Sequence, residues 1–217
     1  LINYIQKNHL MKMSYLLTTS MKLKIKHIMN IKNYKIMSKH LNKEIGMFGQ
    51  KLVCKYLKEN KFNYWTNDDK NNYNKNDIIM EKDNNLYFVE VSTKRHTFKN
   101  NHKCTGKNKK QIDRYIERES LYGHKYFIVF VDYNTKTIYG NYISNLMNKT
   151  YSRGKEFPYV ENSGGQVITY FNLENMTVLA DINKDDLDKL GELHFKNKTQ
   201  KEQVNLFDAI NDLKNGY

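Results

Sequence analysis

The residues best placed to do chemistry are Asp77 and the run Glu90-Val91-Ser92-Thr93-Lys94. Asp77 opens a short apolar segment, Asp77-Ile-Ile-Met-Glu81, that reads as a strand. Glu90 stands inside Leu86 to Thr93, the strongest strand pattern in the chain, rich in β-branched and aromatic residues. Between them, Lys82-Asp83-Asn84-Asn85 has the composition of a tight turn, so the two segments read as a hairpin. In such a hairpin Asp77 and Glu90 are neighbours and their carboxylates can converge. Alternation puts Glu90, Ser92 and Lys94 on one face, and Val89, Val91 and Thr93 on the other. An acid within Leu-Tyr-Phe-Val-Glu-Val is costly unless it is paired or bound to a cation. Two converging carboxylates repel unless a divalent cation lies between them, and oxygen ligands with open water positions suit Mg²⁺ or Mn²⁺. A lysine on the same face could orient or deprotonate a metal-bound water for attack on a phosphodiester. The bland alternative is a pair of exposed hairpin charges.

These residues must be held by a framework, and its elements are legible in outline. Ile45, Phe48, Leu52 and Tyr56 recur at helical spacing through Asn60, with Gly46 and Gly49 in the first turns. Lys61 to Asn76 is polar and Asn-rich. Thr97 to Lys110 reads as a basic loop and Gln111 to Ser120 as a charged helix. Tyr126 to Val131 is a continuous apolar run, the pattern of a central strand covered on both faces. Thr137 to Tyr139 reads as a short strand, Ile143 to Met147 as a helical turn, Tyr151 to Pro158 as a loop and Val167 to Phe171 as an edge strand. Asn183 can cap a helix running through Leu187 and Leu190. The order predicts an α/β or α+β domain with a mixed central sheet flanked by helices.

At these residues the chain resembles the PD-(D/E)XK nuclease superfamily, the restriction-endonuclease-like proteins. The resemblance covers about residues 44 to 140 and rests on four pieces in order. The helix Gly46-Met-Phe-Gly49-Gln50…Tyr56-Leu57 resembles the family's first helix. Asp77 matches the motif aspartate, and Glu90 matches the (D/E) of the strand element. Gln111-Ile-Asp-Arg-Tyr115 matches the Q-x-x-x-Y helix of one large branch, which includes phage and resolvase-type members. The resemblance implies a metal-dependent deoxyribonuclease. Asp77, Glu90 and the Val91 carbonyl would hold Mg²⁺ or Mn²⁺, and Gln111 and Tyr115 would support the site. The chain departs from the pattern twice. Position 92, where the family lysine should stand, is Ser92, and Gln50 stands where an acid would fit the first helix. Lys94 faces the same way as Ser92, about 6–7 Å further along the strand, so the resemblance implies a lysine shifted to Lys94. The competing reading, supported by Ser92 and Gln50, is a non-catalytic DNA- or RNA-binding protein on a degenerate nuclease fold.

A basic stretch lies beside the proposed site. Arg95, Lys99, Lys103, Lys107, Lys109, Lys110 and Arg114 are the candidates for phosphate contact, against the alternative of a solvated Lys-rich loop. Other chemistries fare worse. His96, His102 and Cys104 lack a fourth zinc-spaced ligand. The chain has neither a P-loop nor a G-x-S-x-G elbow.

Composition sets the frame for these motifs. The 217 residues carry 36 Lys+Arg against 23 Asp+Glu, a net charge of +13. Nine of those charges fall in the first 43 residues, which contain no acid, leaving +4 (13 minus 9) for residues 44–217. The leader reads as upstream sequence read in frame or as a basic arm. The core is expected over 44–150, with 151–217 as an extension packing on it. A last amphipathic segment with Val204, Phe207, Ile210 and Leu213 could serve a dimer contact. Lys, Asn, Ile and Tyr usage matches an AT-rich genome, so the Lys surplus has a compositional explanation beside the nucleic-acid one. No run approaches a membrane span, and two cysteines cannot build a disulfide framework. A phage-infected or bacterial cytoplasm is the expected setting, with DNA, or else RNA, as the partner.

Overall fold

The computed structural model describes residues 39–66, 77–99, 101–196 and 198–199. The chain divides into two units, Glu44–Leu193 and a second made of Leu1–Lys43 with His194–Tyr217. In the second unit the described residues are 39–43, 194–196 and 198–199, all helical. Most of the basic leader and the segment around Phe207 lie outside the described residues.

Within Glu44–Leu193 the main sheet has six strands in the order β1-β2-β3-β6-β7-β12. These are β1 (Asn63–Thr66), β2 (Ile78–Lys82), β3 (Asn85–Lys94), β6 (Lys125–Asp132), β7 (Thr137–Tyr142) and β12 (Thr177–Asp181). β3 and β6 run parallel, and every other pair in this sheet is antiparallel. A parallel pair needs a crossover, supplied here by β4 (Thr97–Lys99), β5 (His102–Asn108) and helix α2 (Lys109–Tyr122). The expected mixed sheet flanked by helices is therefore the observed architecture.

Each face of the sheet carries its own core. Helix α1 (39–59), from residue 44 on, lays Ile45, Leu52, Val53 and Leu57 against Ile78, Met80, Val89, Val129 and Val131. The spacing of those four residues forms one apolar stripe. Helix α4 (184–196) adds Leu190 to the same core. Its first turn is capped by Asn183, whose Oδ1 accepts from the Asp186 amide at 2.9 Å. On the opposite face Ile112 and Tyr115 of α2 pack with Tyr126, Ile128 and Phe130 of β6 and with Ile143 and Leu146 of α3 (Ile143–Met147). β6 is thus buried on both sides, as its unbroken apolar run implied.

Local signals set several boundaries. The β2–β3 hairpin turns on Asp83 and Asn84, with φ of 51° and 60°. Two successive left-handed residues make a type I′ turn, whose twist matches the flanking strands. α2 begins at Asn108, whose side chain accepts from the Lys110 amide, and ends at Gly123 with φ 67°.

Three expectations are corrected. Thr97 to Lys110 is not a loop: it forms β4, β5 and the start of α2. β5 lies inside a second, antiparallel sheet of order β10-β11-β5-β4, completed by β10 (Tyr159–Ser163) and β11 (Gln166–Asn172). Its partner β11 comes from about 60 residues downstream, pairing Tyr170 with Gly106. A strand formed by such remote pairing leaves no local alternation. Gly106 permits it, since a Cβ there would stand 2.7 Å from Ile168 Cγ2 and 2.8 Å from Tyr170 Cε1. For the same reason β11 is interior to its sheet rather than an edge strand. Tyr151 to Pro158 is the ribbon of β8 (Thr150–Ser152) and β9 (Lys155–Phe157), turned at Arg153 and Gly154. Residues after 150 thus complete both larger sheets.

The approach of α1 to β3 depends on Gly49. A Cβ at that position would lie 1.6 Å from Thr93 Oγ1 and 2.9 Å from Thr93 Cβ. Gly49→Ala is expected to force the helix outward and lower stability by about 1–3 kcal/mol in urea unfolding. Adding Thr93→Ala removes the nearest atom and should recover part of that loss. Strictly additive effects of the two changes would contradict the contact.

Candidate active site

Asp77 and Glu90 come together through the β2–β3 register. Ile78 pairs with Val89, so Asp77, one residue before the strand, stands across from Glu90. Asp77 Oδ2 accepts from the Val91 amide at 2.8 Å, which ties the carboxylate to the backbone of β3. The Asp77 carboxyl is pushed up from 3.8 to about 6, first by burial and then by the neighbouring Glu90 charge. Hydrogen bonds from Val91 and from the Gln50 side chain of α1, and the Lys107 charge, pull the other way.

Glu90 finds its cation across the gap between the two sheets. Lys107 Nζ, on β5, lies 2.8 Å from Glu90 Oε1, with the two side chains only 7% and 12% exposed. Lys94, at the end of β3, donates from Nζ to the Gly106 carbonyl instead. Burial, and then the Lys107 charge, lowers the Lys94 ammonium from 10.5 to about 8. Tyr115 of α2 is buried and hydrogen-bonds Glu90 through its hydroxyl. Its pKa is raised, first by burial and then by the Glu90 charge. Gln111 is half-buried one helical turn before Tyr115. Four side chains therefore gather around Asp77 and Glu90 or their immediate partners: Gln50, Lys94, Lys107 and Tyr115. Ser92 is half-buried on β3.

The remaining basic residues are dispersed. Lys99 pairs with Glu161 at 2.5 Å and lies over the Tyr170 ring. Lys109 pairs with Asp113 at 2.7 Å, one turn along α2. Arg95 stacks on Tyr133, with 4.7 Å to the ring centroid. Arg114 Nε donates to the Lys110 carbonyl at 3.3 Å. Lys103 and Lys110 are exposed. Lys107 differs from all of these in facing the carboxylates. Sequence reasoning grouped it with the outward-facing phosphate contacts. No local signal marks its role, because the residue it meets is 17 positions away on another sheet.

The chain is similar to a UPF0102 protein. That relative, from Syntrophomonas wolfei, is 35% identical over 57 residues, which are 26% of this chain and 50% of the relative. The chain thus spans about half the length of the curated relative it matches. No family model matches the chain. Among solved structures it is similar to Hjc, a Holliday junction resolvase from the archaeal hyperthermophile Archaeoglobus fulgidus. That similarity covers 60% of this chain and 85% of the resolvase, at 6% identity and a TM-score of 0.40.

Among the described residues no group of three His, Cys, Asp or Glu side chains converges as a metal cage. What the site offers is two carboxylates, oxygen ligands that suit a hard cation that keeps much of its water. Burial, and then the Glu90 charge, raises the Asp77 carboxyl. The residues therefore fit a magnesium-like ion.

The same pKa shift has a consequence for stability. The folded state holds the Asp77 proton more tightly than the unfolded state does. The associated stability is present below pH 3.8 and is lost as pH rises through about 6. In a chelator-treated sample, Asp77→Asn should therefore be more stable than wild type at pH 7.5, with the advantage shrinking towards pH 4. Urea midpoints at the two pH values measure this, and an advantage that grows on acidification would refute the shift.

Proposed function

We propose that this chain is a metal-dependent nuclease of the PD-(D/E)XK type, hydrolysing phosphodiester bonds of DNA. The observation that carries the reading is the half-buried carboxylate pair of Asp77, one residue before β2, and Glu90 on the adjacent strand β3 of a mixed sheet. Around it stand the Val91 backbone, Tyr115 and two lysines. The ordered resemblance over residues 44 to 140 supports the same activity.

Asp77, Glu90 and the Val91 carbonyl would hold Mg²⁺ or Mn²⁺. The ion would supply Lewis-acid stabilisation of charge on the phosphate oxygens. Val91 N–H and Gln50 hold the Asp77 carboxylate in place, and the Tyr115 hydroxyl fixes Glu90. Gln111 supports the same end of α2. A water oxygen forms a bond to phosphorus while the bond to the leaving sugar oxygen breaks with its electron pair. The water proton passes to solvent, and the leaving oxygen takes one up. The Lys94 ammonium, already lowered to about 8, lies within the charged cluster on this face and helps neutralise the approaching phosphate. Arg95, Lys99, Lys103, Lys109, Lys110 and Arg114 provide basic side chains for the flanking backbone. Among the described residues no helix is long and apolar enough to cross a membrane. We place the enzyme with intracellular DNA, in a bacterium or an infected one.

Cleavage of plasmid and of linear single- and double-stranded DNA, with Mg²⁺ or Mn²⁺, tests the reading. Wild type should cut, and Asp77→Asn and Glu90→Gln should each lose roughly 10³-fold or more in rate. Binding without cutting on every DNA and RNA substrate would instead establish a non-catalytic nucleic-acid-binding protein. Affinity for DNA should fall steeply with salt. Lys103→Ala, at an exposed position, should reduce the slope of log affinity against log salt by roughly one if that side chain meets a phosphate.

A further inference from the structure

Ser92 cannot carry charge, so the ammonium that the strand motif would place there must come from elsewhere. Two lysines reach the site, and the structure distinguishes them. Lys94 is committed to the backbone of β5 through the Gly106 carbonyl. Lys107 contacts a carboxylate directly, 2.8 Å from Glu90 Oε1, with both side chains nearly buried. It is also held on a well-supported strand. β5 pairs with β11 along residues 104–108, with Lys107 opposite Thr169, and with β4 at residues 102–104. A buried ion pair adds little net stability, because desolvation offsets most of the attraction. The pair offsets the cost of burying Glu90, and it also leaves an ammonium beside the two carboxylates.

We propose that Lys107, rather than Lys94, is the catalytic ammonium of this site, supplied across the gap between the sheets to replace the lysine missing at position 92. This rests on the nuclease reading above. Lys107 neutralises Glu90 and occupies the place of a cation there. When a divalent ion is held at Asp77 and Glu90, the ammonium is released from Glu90. Its four-carbon stem lets it turn to the attacking water, where it stabilises the charge growing on that oxygen and remains protonated. One side chain thus competes with metal binding and promotes the hydrolysis that follows.

The full chain is compared with Lys107→Met and Lys94→Met by two measurements. The first is single-turnover DNA cleavage at saturating Mn²⁺. The second is Mn²⁺ affinity of chelator-stripped protein by calorimetry, without DNA. Lys107→Met should lower cleavage by ~10²–10³-fold, more than Lys94→Met does, while binding Mn²⁺ as tightly as wild type or tighter. A merely structural lysine would not separate the two readouts in opposite directions. Thermal unfolding with and without Mn²⁺ controls for folding. A Lys107→Met chain stabilised more by Mn²⁺ than wild type is also supports the proposal, because the ion then replaces the missing ammonium beside Glu90. Methylammonium should partly restore cleavage to Lys107→Ala. Cleavage within about twofold of wild type in Lys107→Met, a larger loss in Lys94→Met, or parallel loss of cleavage and Mn²⁺ binding would each overturn it. If wild type itself cuts nothing, the nuclease reading fails. Weakened Mn²⁺ binding in Lys107→Met then rejects the cation-exchange role as well, and tightened binding retains it.

Discussion

Placing two carboxylates side by side in a protein interior is unfavourable twice over, through lost hydration and through mutual repulsion. Much of the structure around Asp77 and Glu90 counters that cost. The Val91 amide and Gln50 support Asp77, while Tyr115 and Lys107 support Glu90. The supports come from β3, α1, α2 and β5, so these elements are joined electrostatically as well as by apolar packing. Burial and the Glu90 charge still raise the Asp77 carboxyl.

β3 is the seam on which this arrangement turns. Val89 and Val91 face α1 and its apolar core, while Glu90 faces β5 and α2. The close approach at Gly49 and Thr93 sets one side of the seam. The crossing of Tyr170 over Gly106 sets the other, holding β5 against β11 one residue from Lys107. Glycine serves in both places by leaving out a side chain. The surplus of +13, by contrast, bears little on the site, since nine of those charges fall before residue 44. The relevant electrostatics is a handful of groups at hydrogen-bonding distance.

The fold was legible wherever structure is local. The alternation of β3, the Asp83-Asn84 turn, the apolar run of β6 and the Asn183 cap all appear within a few residues of sequence. The facing of Asp77 and Glu90 was legible for the same reason, because a two-residue turn dictates register. The second sheet was not. β5 reads His-Lys-Cys-Thr-Gly-Lys-Asn, polar and basic, and is a strand because β11 and β4 supply its hydrogen bonds.

By itself the sequence determined which carboxylates would meet, since hairpin geometry and side-chain alternation leave little freedom once the turn is set. It also determined that position 92 carries no lysine. Only the tertiary structure decided which cation answers Glu90. From spacing alone Lys94 is the natural candidate, two residues along the same face. In the folded chain Lys94 turns to the Gly106 carbonyl, and Lys107 arrives from the neighbouring sheet. The physical reason is that an ion pair depends on distance through space. Distance along the chain predicts it only within a single regular element, and β3 and β5 belong to different sheets.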